Sequence, residues 1–200
     1  MTEPRIGRVL PASLHQAISE SMPTRLEFYE HWLHPTGLHK NSVGVAQIGA
    51  VLSFLRQEGE RYDEIMALAG RYAATWTADA LGGSAGVRRW LPARLRARRM
   101  VRTARALARE VSSVSRLGVE ARKGSLTLTV DRSIFCDVRE RGARPLCGFY
   151  AAAVMVLCER VGLGPELRQE RCRAVDAEQC VWHLDYHKAG DDEASVATLP

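Results

Sequence analysis

The feature that most constrains this chain is a change in its hydrophobic period near Gly118. Before that glycine, apolar residues recur every three or four positions from Met100 to Val114, which predicts a long amphipathic helix. After it, the segment from Ser125 to Val130 alternates apolar residues with β-branched polar ones, which predicts a half-buried strand. A chain that turns from helical to strand periodicity in this way is expected to have an α+β fold.

The remaining segments extend this pattern. Apolar residues at helical spacing, in segments bounded by proline or glycine, predict helices at 11–20, 24–34, 41–55 and 60–81. After residue 118 we predict two hairpins, at 119–122 with 125–130 and at 167–174 with 179–187, separated by an apolar helix at 146–160. The predicted architecture is a set of N-terminal helices packed on a small antiparallel sheet, with a buried central helix.

The length and the apolar content predict one domain. The chain has 200 residues and is 46% hydrophobic, which suffices for a core without disulfides. We assign residues 1–188 to this domain, with a helical part at 1–117 and a hairpin–helix–hairpin part at 118–188, and we expect a flexible acidic tail at 189–200. The longest apolar run, 146–158, is too short to span a membrane, and no secretory signal is evident, so we expect a cytoplasmic protein.

The positive charge is concentrated in one segment, which holds nine arginines and no acid between Arg88 and Arg109. Five of them form a stripe at helical spacing, which is a candidate interaction face for a protein partner or a solvated helix surface: Arg94, Arg98, Arg102, Arg105 and Arg109. Nucleic acid is not the favoured partner, because only Trp90 interleaves an aromatic ring with the arginines.

Cysteines are the candidate ligands of a metal. Their odd number, five, and the lack of a secretory signal favour reduced thiols over disulfides. Cys147 opens the apolar helix, and a three-residue loop at 175–177 would place Cys172 opposite Cys180, with Glu170 on the same strand face. Three thiols and a carboxylate suit tetrahedral zinc, while ordinary buried core cysteines are the alternative interpretation.

The stretches Pro145-Leu-Cys-Gly-Phe-Tyr-Ala-Ala, Glu170-Arg-Cys-Arg-Ala and Cys180-Val-Trp-His-Leu resemble the 4-vinyl reductase domain family. This resemblance implies a fold like that of TRAPP vesicle-tethering subunits and a homodimer. It also implies a structural zinc beside an aromatic-binding pocket, as in phenol-sensing regulators, with Cys147, Cys172 and Cys180 as ligands. The family's acid stands three residues before the second cysteine, where this chain has Gln169, so Glu170 is the candidate one residue later.

The leading functional hypothesis is a non-catalytic sensor or carrier of a hydrophobic small molecule, either aromatic or a tetrapyrrole. We expect its pocket between the N-terminal helices and the sheet, lined by Trp32, Tyr72, Trp76, Phe149 and Tyr150. One alternative is a component of 4-vinyl reduction in bacteriochlorophyll biosynthesis, although the chain has no dinucleotide fingerprint and no iron–sulfur cysteine run. The other alternative is a TRAPP-like interaction scaffold that uses the arginine stripe.

Overall fold

The computed structural model describes residues 5–33, 42–82, 91–122 and 124–188. It confirms the α+β class, with six helices and two antiparallel sheets among these residues. In chain order the elements are β1 (Arg5–Gly7), α1 (Val9–Ser21), α2 (Leu26–Leu33), β2 (Ser42–Gly44), α3 (Val45–Gln57), α4 (Glu60–Ala80), α5 (Ala93–Val111), β3 (Arg116–Arg122), β4 (Ser125–Asp131), α6 (Gly148–Arg160), β5 (Leu163–Arg171) and β6 (Cys180–Lys188). The short pair of β1 and β2 was not predicted.

The larger sheet has the strand order β3-β4-β6-β5, and all of its pairs are antiparallel. In β4 the residues Leu126, Leu128 and Val130 are buried and alternate with half-exposed ones, as the period-two pattern predicted. Across the sheet, Leu128 lies opposite Trp182 and Val130 opposite Cys180. One apolar face of the sheet therefore continues from β4 into β6.

Helix α6 is the buried central helix, packed between α4 on one side and the sheet on the other. Its approach to α4 is close because Gly70 has no side chain. A Cβ atom at that position would lie 2.2 Å from the backbone oxygen of Phe149. Glycine thus allows the two helix backbones to touch where α6 begins.

Helix α5 buries its apolar stripe against α6 and β3 and leaves its arginine stripe exposed. Met100, Leu107 and Val111 are at most 2% exposed, as expected for the core-facing side of an amphipathic helix. Among the residues that the structure describes, no helix has both the length and the hydropathy needed to cross a bilayer.

Candidate metal centre and ligand cavity

Four cysteines form a single buried cluster between α6 and one end of the sheet. Their sulfur atoms all lie within 4.8 Å of one another. Cys147 Sγ lies 3.3 Å from Cys172 Sγ, and Cys136 Sγ lies 3.5 Å from Cys180 Sγ and 3.6 Å from Cys172 Sγ. All four residues are at most 3% exposed. No described His, Asp or Glu joins this group, so the donor set is entirely sulfur.

Each of the four thiols comes from a different segment of the chain. Cys136 ends a 3-10 turn (Ile134–Cys136) that follows β4, and Cys147 is the residue just before α6. Cys172 lies one residue beyond β5, and Cys180 is the first residue of β6. The cluster therefore joins two loops, the start of α6 and the end of the sheet, as a crosslink would.

Side chains of the N-terminal helices hold the two ligand-bearing loops in place. Arg56 of α3 donates to the backbone oxygen of Phe135 at 3.0 Å. Tyr62 of α4, which is fully buried, donates from its hydroxyl to the backbone oxygen of Leu146 at 2.9 Å. Each acceptor immediately precedes a cysteine of the cluster, so α3 and α4 position two of the four thiols through the backbone.

The thiols of the cluster shift one another's pKa values. The pKa of Cys172 is lowered, chiefly because the Cys136 and Cys147 thiols hydrogen-bond to it. The pKa of Cys147 is raised by its contacts with Cys136 and Cys172 and by burial. The closely spaced thiols therefore perturb one another's pKa values in opposite directions. The amide of Gln169 also donates to Cys147 Sγ at 3.0 Å, a contact that a metal-bound thiolate accepts well.

The sulfur spacing suits a tetrahedral metal ion. A zinc–sulfur distance of about 2.3 Å places the corners of a tetrahedron about 3.8 Å apart. The three contacts of 3.3–3.6 Å need to lengthen by a few tenths of an ångström, and the remaining pairs, which lie within 4.8 Å, need to shorten by at most about 1 Å. Tetrahedral sites with four sulfur ligands are typical of zinc and of iron. These cysteines could therefore hold a metal ion, and four protein ligands would leave no position for a substrate.

The prediction of Glu170 as the fourth ligand is corrected by the structure. A bulge in β5 leaves Glu170 as an extra residue, because Gln169 pairs with Trp182 and Arg171 with the preceding residue of β6, Val181. As a result Gln169 faces the cluster, while Glu170 is exposed and its carboxylate lies 3.0 Å from His183 Nε2. The structure brings the other three predicted ligands, all cysteines, together.

The missing fourth ligand is Cys136, which sequence reasoning did not single out. It lies in an irregular connection with no hydrophobic period, and its spacing to the other cysteines matches no short metal motif. The one signal in the sequence was its position after the predicted strand at 125–130, and only the structure shows that this strand pairs with β6. Because Val130 lies opposite Cys180, a residue shortly after Val130 can fold back over that end of the sheet.

A small cavity lies next to this cluster, between α5, α6 and the sheet. It has a volume of about 10 Å³, close to the minimum that one water molecule needs. Its lining is apolar apart from two aromatic residues that carry a polar group: Ala104, Leu107, Leu117, Leu128, Val130, Tyr150, Ala153, Val154, Leu157 and Trp182. Trp182 Nε1 and Tyr150 Oη are buried, and neither makes a close hydrogen bond in the described structure, although the Ser115 hydroxyl lies near enough to Tyr150 to interact with it. Burial raises the pKa of Tyr150, and the hydrogen-bonding interaction with Ser115 lowers it by less, so the phenol remains protonated.

The aromatic residues predicted to line one pocket are spread over several places. Trp32 packs near Phe54, with ring centres 6.4 Å apart. Tyr72 and Trp76 stack on each other, and the Tyr72 hydroxyl is bound to Glu20. Phe149 is fully buried and Tyr150 lines the small cavity. The packing of the helices thus places these five aromatic residues apart, and their spacing in the sequence could not predict which of them would lie together.

The five arginines predicted as an interaction face do lie together. They line one groove beside α5, on the side of the helix that faces away from the core: Arg94, Arg98, Arg102, Arg105 and Arg109. The predicted tail at 189–200 lies outside the described residues, as does Trp90.

Comparison with protein-family models gives no match, and comparison with curated proteins gives no significant match.

Proposed function

We propose that this chain is a non-catalytic module that binds a hydrophobic small molecule between α5, α6 and the sheet. The observation that carries the proposal is an apolar cavity lined by Tyr150 and Trp182, with the buried Trp182 Nε1 lacking a hydrogen-bond partner in the described structure. A buried donor without an acceptor costs about 1–3 kcal/mol. A ligand with an oxygen acceptor would recover this cost, as in binding sites that are apolar with a few placed polar groups.

We further propose that zinc bound by Cys136, Cys147, Cys172 and Cys180 is the structural centre of this module. Trp182 follows Cys180 by two residues and so shares its strand face, and Val130, opposite Cys180, also lines the cavity. A metal held by these cysteines would fix the wall that carries Trp182. A closed four-thiolate site supports a structural role, because catalytic zinc keeps an open position.

The size of the cavity favours a small aromatic ligand over a tetrapyrrole. A volume of about 10 Å³ means that any ligand must displace side chains as it enters. A single or fused aromatic ring requires less of this rearrangement than a macrocycle, because the walls are closely packed side chains. Two alternative functions, a part in 4-vinyl reduction and a TRAPP-like scaffold, are proposals that derive from the family resemblance. The same holds for the homodimeric state.

The metal is tested by comparing Cys136→Ala with Cys158→Ala. Cys158 is equally buried but lies outside the cluster, so its replacement is a matched control for the loss of a core thiol. Native mass spectrometry with elemental analysis should give one zinc per chain for the wild type and for Cys158→Ala. It should give much less for Cys136→Ala. Equal zinc content in both variants would contradict the assignment of Cys136 as a ligand.

The ligand site is tested with two probes of similar shape, 2-acetylnaphthalene and 2-ethylnaphthalene, of which only the first has a carbonyl acceptor. The wild type should bind the ketone more tightly, by about tenfold for one recovered hydrogen bond. Tyr150→Phe should reduce that preference, because the phenol is one of the two polar groups carried by the lining residues. A Tyr150→Phe variant that keeps the full preference would refute the proposed site.

A further inference from the structure

A much larger concave site lies beside the cavity. It is a groove of about 1050 Å³ between the exposed face of α5 and the end of the hairpin formed by β3 and β4. This volume is at the upper end of the range for small-molecule sites. Seven arginines line it, which are the five of the stripe with Arg99 and Arg122, and no acidic residue is among the lining residues that the structure describes.

The charge of this groove is not neutralised within the described chain. None of the five stripe arginines forms an ion pair with a described carboxylate, although six arginine–carboxylate ion pairs occur elsewhere among the described residues. Like charges three or four residues apart on a helix repel one another. An anionic partner would relieve this repulsion and would receive several guanidinium hydrogen bonds at once.

The floor of the groove is apolar and leads toward the small cavity. Val119, Leu126 and Tyr186 line the groove, while Leu117 and Leu128, two residues further along the same strand faces, line the cavity. On α5, Ala106 lines the groove and its neighbour Leu107 lines the cavity. Guanidinium groups, an apolar floor and the cavity that Tyr150 and Trp182 line therefore follow one another beside α5.

We infer that this groove binds the anionic head group, a carboxylate or a phosphate, of an amphiphilic small molecule. The apolar body of the ligand would lie on the floor and extend toward Tyr150 and Trp182. This inference rests on the proposed function and specifies its ligand class. The guanidinium group of arginine is planar and carries several N–H donors. It therefore binds an anionic head group better than it binds a neutral head group.

The residues that line the groove favour a free small molecule over nucleic acid as its ligand. Single-stranded nucleic acid is usually held by exposed aromatic rings on which bases stack. Among the described lining residues the only aromatic is Tyr186, which is 8% exposed and belongs to the floor. The arginines thus lack the stacking partners that a nucleic-acid site would provide.

The test compares 11-(dansylamino)undecanoic acid with its neutral methyl ester by fluorescence titration of the full-length, metal-loaded protein. The acid should bind at least about tenfold more tightly, since a charge-assisted hydrogen bond contributes more than one factor of ten. The triple variant Arg98→Glu, Arg102→Glu, Arg105→Glu should weaken binding of the acid by about tenfold or more. The same variant should leave binding of the ester nearly unchanged.

A second triple variant serves as the control. Arg61→Glu, Arg116→Glu, Arg139→Glu changes the net charge by the same amount, at exposed arginines that do not line the groove. It should keep the affinity of the wild type for the acid, within about threefold. Equal losses in both triple variants would mean a general charge effect and would overturn the inference. Circular dichroism of both variants checks that they fold.

The remaining outcomes separate the head-group inference from the proposed function. If acid and ester bind equally well, the head-group inference fails while the hydrophobic site stands. If neither binds, the inference fails, and the naphthalene probes decide the proposed function independently. If vesicles of phosphatidylcholine with phosphatidylserine, or a single-stranded oligonucleotide, bind through the same arginines while the free acid does not, the occupant is a membrane or a nucleic acid and the inference is wrong.

Discussion

Replacing Gly70 by alanine tests whether the close contact of α4 and α6 supports the site. An alanine Cβ would lie 2.2 Å from the backbone oxygen of Phe149 and 3.0 Å from its carbonyl carbon. The first distance is at least about 1.2 Å shorter than ordinary van der Waals contact, which begins near 3.4 Å. Because the obstacle is helix backbone, no rotamer change can relieve it, and the two helices must move apart.

The expected size of the effect follows from two opposing contributions. Alanine in a helix interior is favoured over glycine by about 1 kcal/mol. Overpacking costs about 1–3 kcal/mol, and contact with rigid backbone places this case at or above the upper end. We therefore expect Gly70→Ala to lower the free energy of unfolding by about 2 kcal/mol. Zinc affinity should also fall, because Phe149 lies two residues after Cys147.

Gly49 provides the matched control, since it also lies inside a helix, α3, and an alanine Cβ there would have no atom within 4 Å. Gly49→Ala should raise the free energy of unfolding by up to about 1 kcal/mol. Urea unfolding of the two variants and the wild type, at one fixed zinc concentration, measures both effects. If Gly70→Ala is as stable as the wild type, or gains stability as Gly49→Ala does, the packing argument is refuted.

Two further predictions concern buried tyrosines. Tyr62→Phe should cost about 1–3 kcal/mol of unfolding free energy, because the carbonyl of Leu146 loses its donor. It should also weaken zinc binding in a chelator competition, whereas Tyr72→Phe, at an exposed contact with Glu20, should change neither quantity. Burial and the nearby Glu58 raise the pKa of Tyr29 from 10.0 to about 12. The folded protein thus holds the Tyr29 proton more tightly than the unfolded chain does. The resulting contribution to the free energy of unfolding is complete below pH 10 and is lost as the pH rises from 10 to about 12. Urea unfolding across this range should show a loss that is larger in the wild type than in Tyr29→Phe by up to about 2 kcal/mol, because Tyr62 and Tyr150, whose pKa values burial also raises, lose stability in both proteins; equal losses in both proteins would contradict the assignment.

The candidate metal ligands show which residues of the site can be predicted from their spacing in the sequence. Cys147, Cys172 and Cys180 were predicted together because a helix start and a final hairpin bring them to one end of the sheet, and the structure has them there. Glu170 was assigned to the wrong face because alternation along a strand holds only until a bulge, and β5 has its bulge between Gln169 and Arg171. A bulge depends on how two strands pair, which the sequence of one strand does not encode.

The sequence by itself determined the order of the six helices and of the four strands of the larger sheet, the buried central helix and the exposed stripe of arginines, because each of these follows from the period of apolar residues along one element. Only the tertiary structure decided that β1 pairs with β2, that Cys136 completes the thiol cluster and that Tyr150 and Trp182 line one cavity. Those groups lie on different elements, and the distances between them depend on how the elements pack. Periodicity assigns a face to each residue, while packing decides which faces meet.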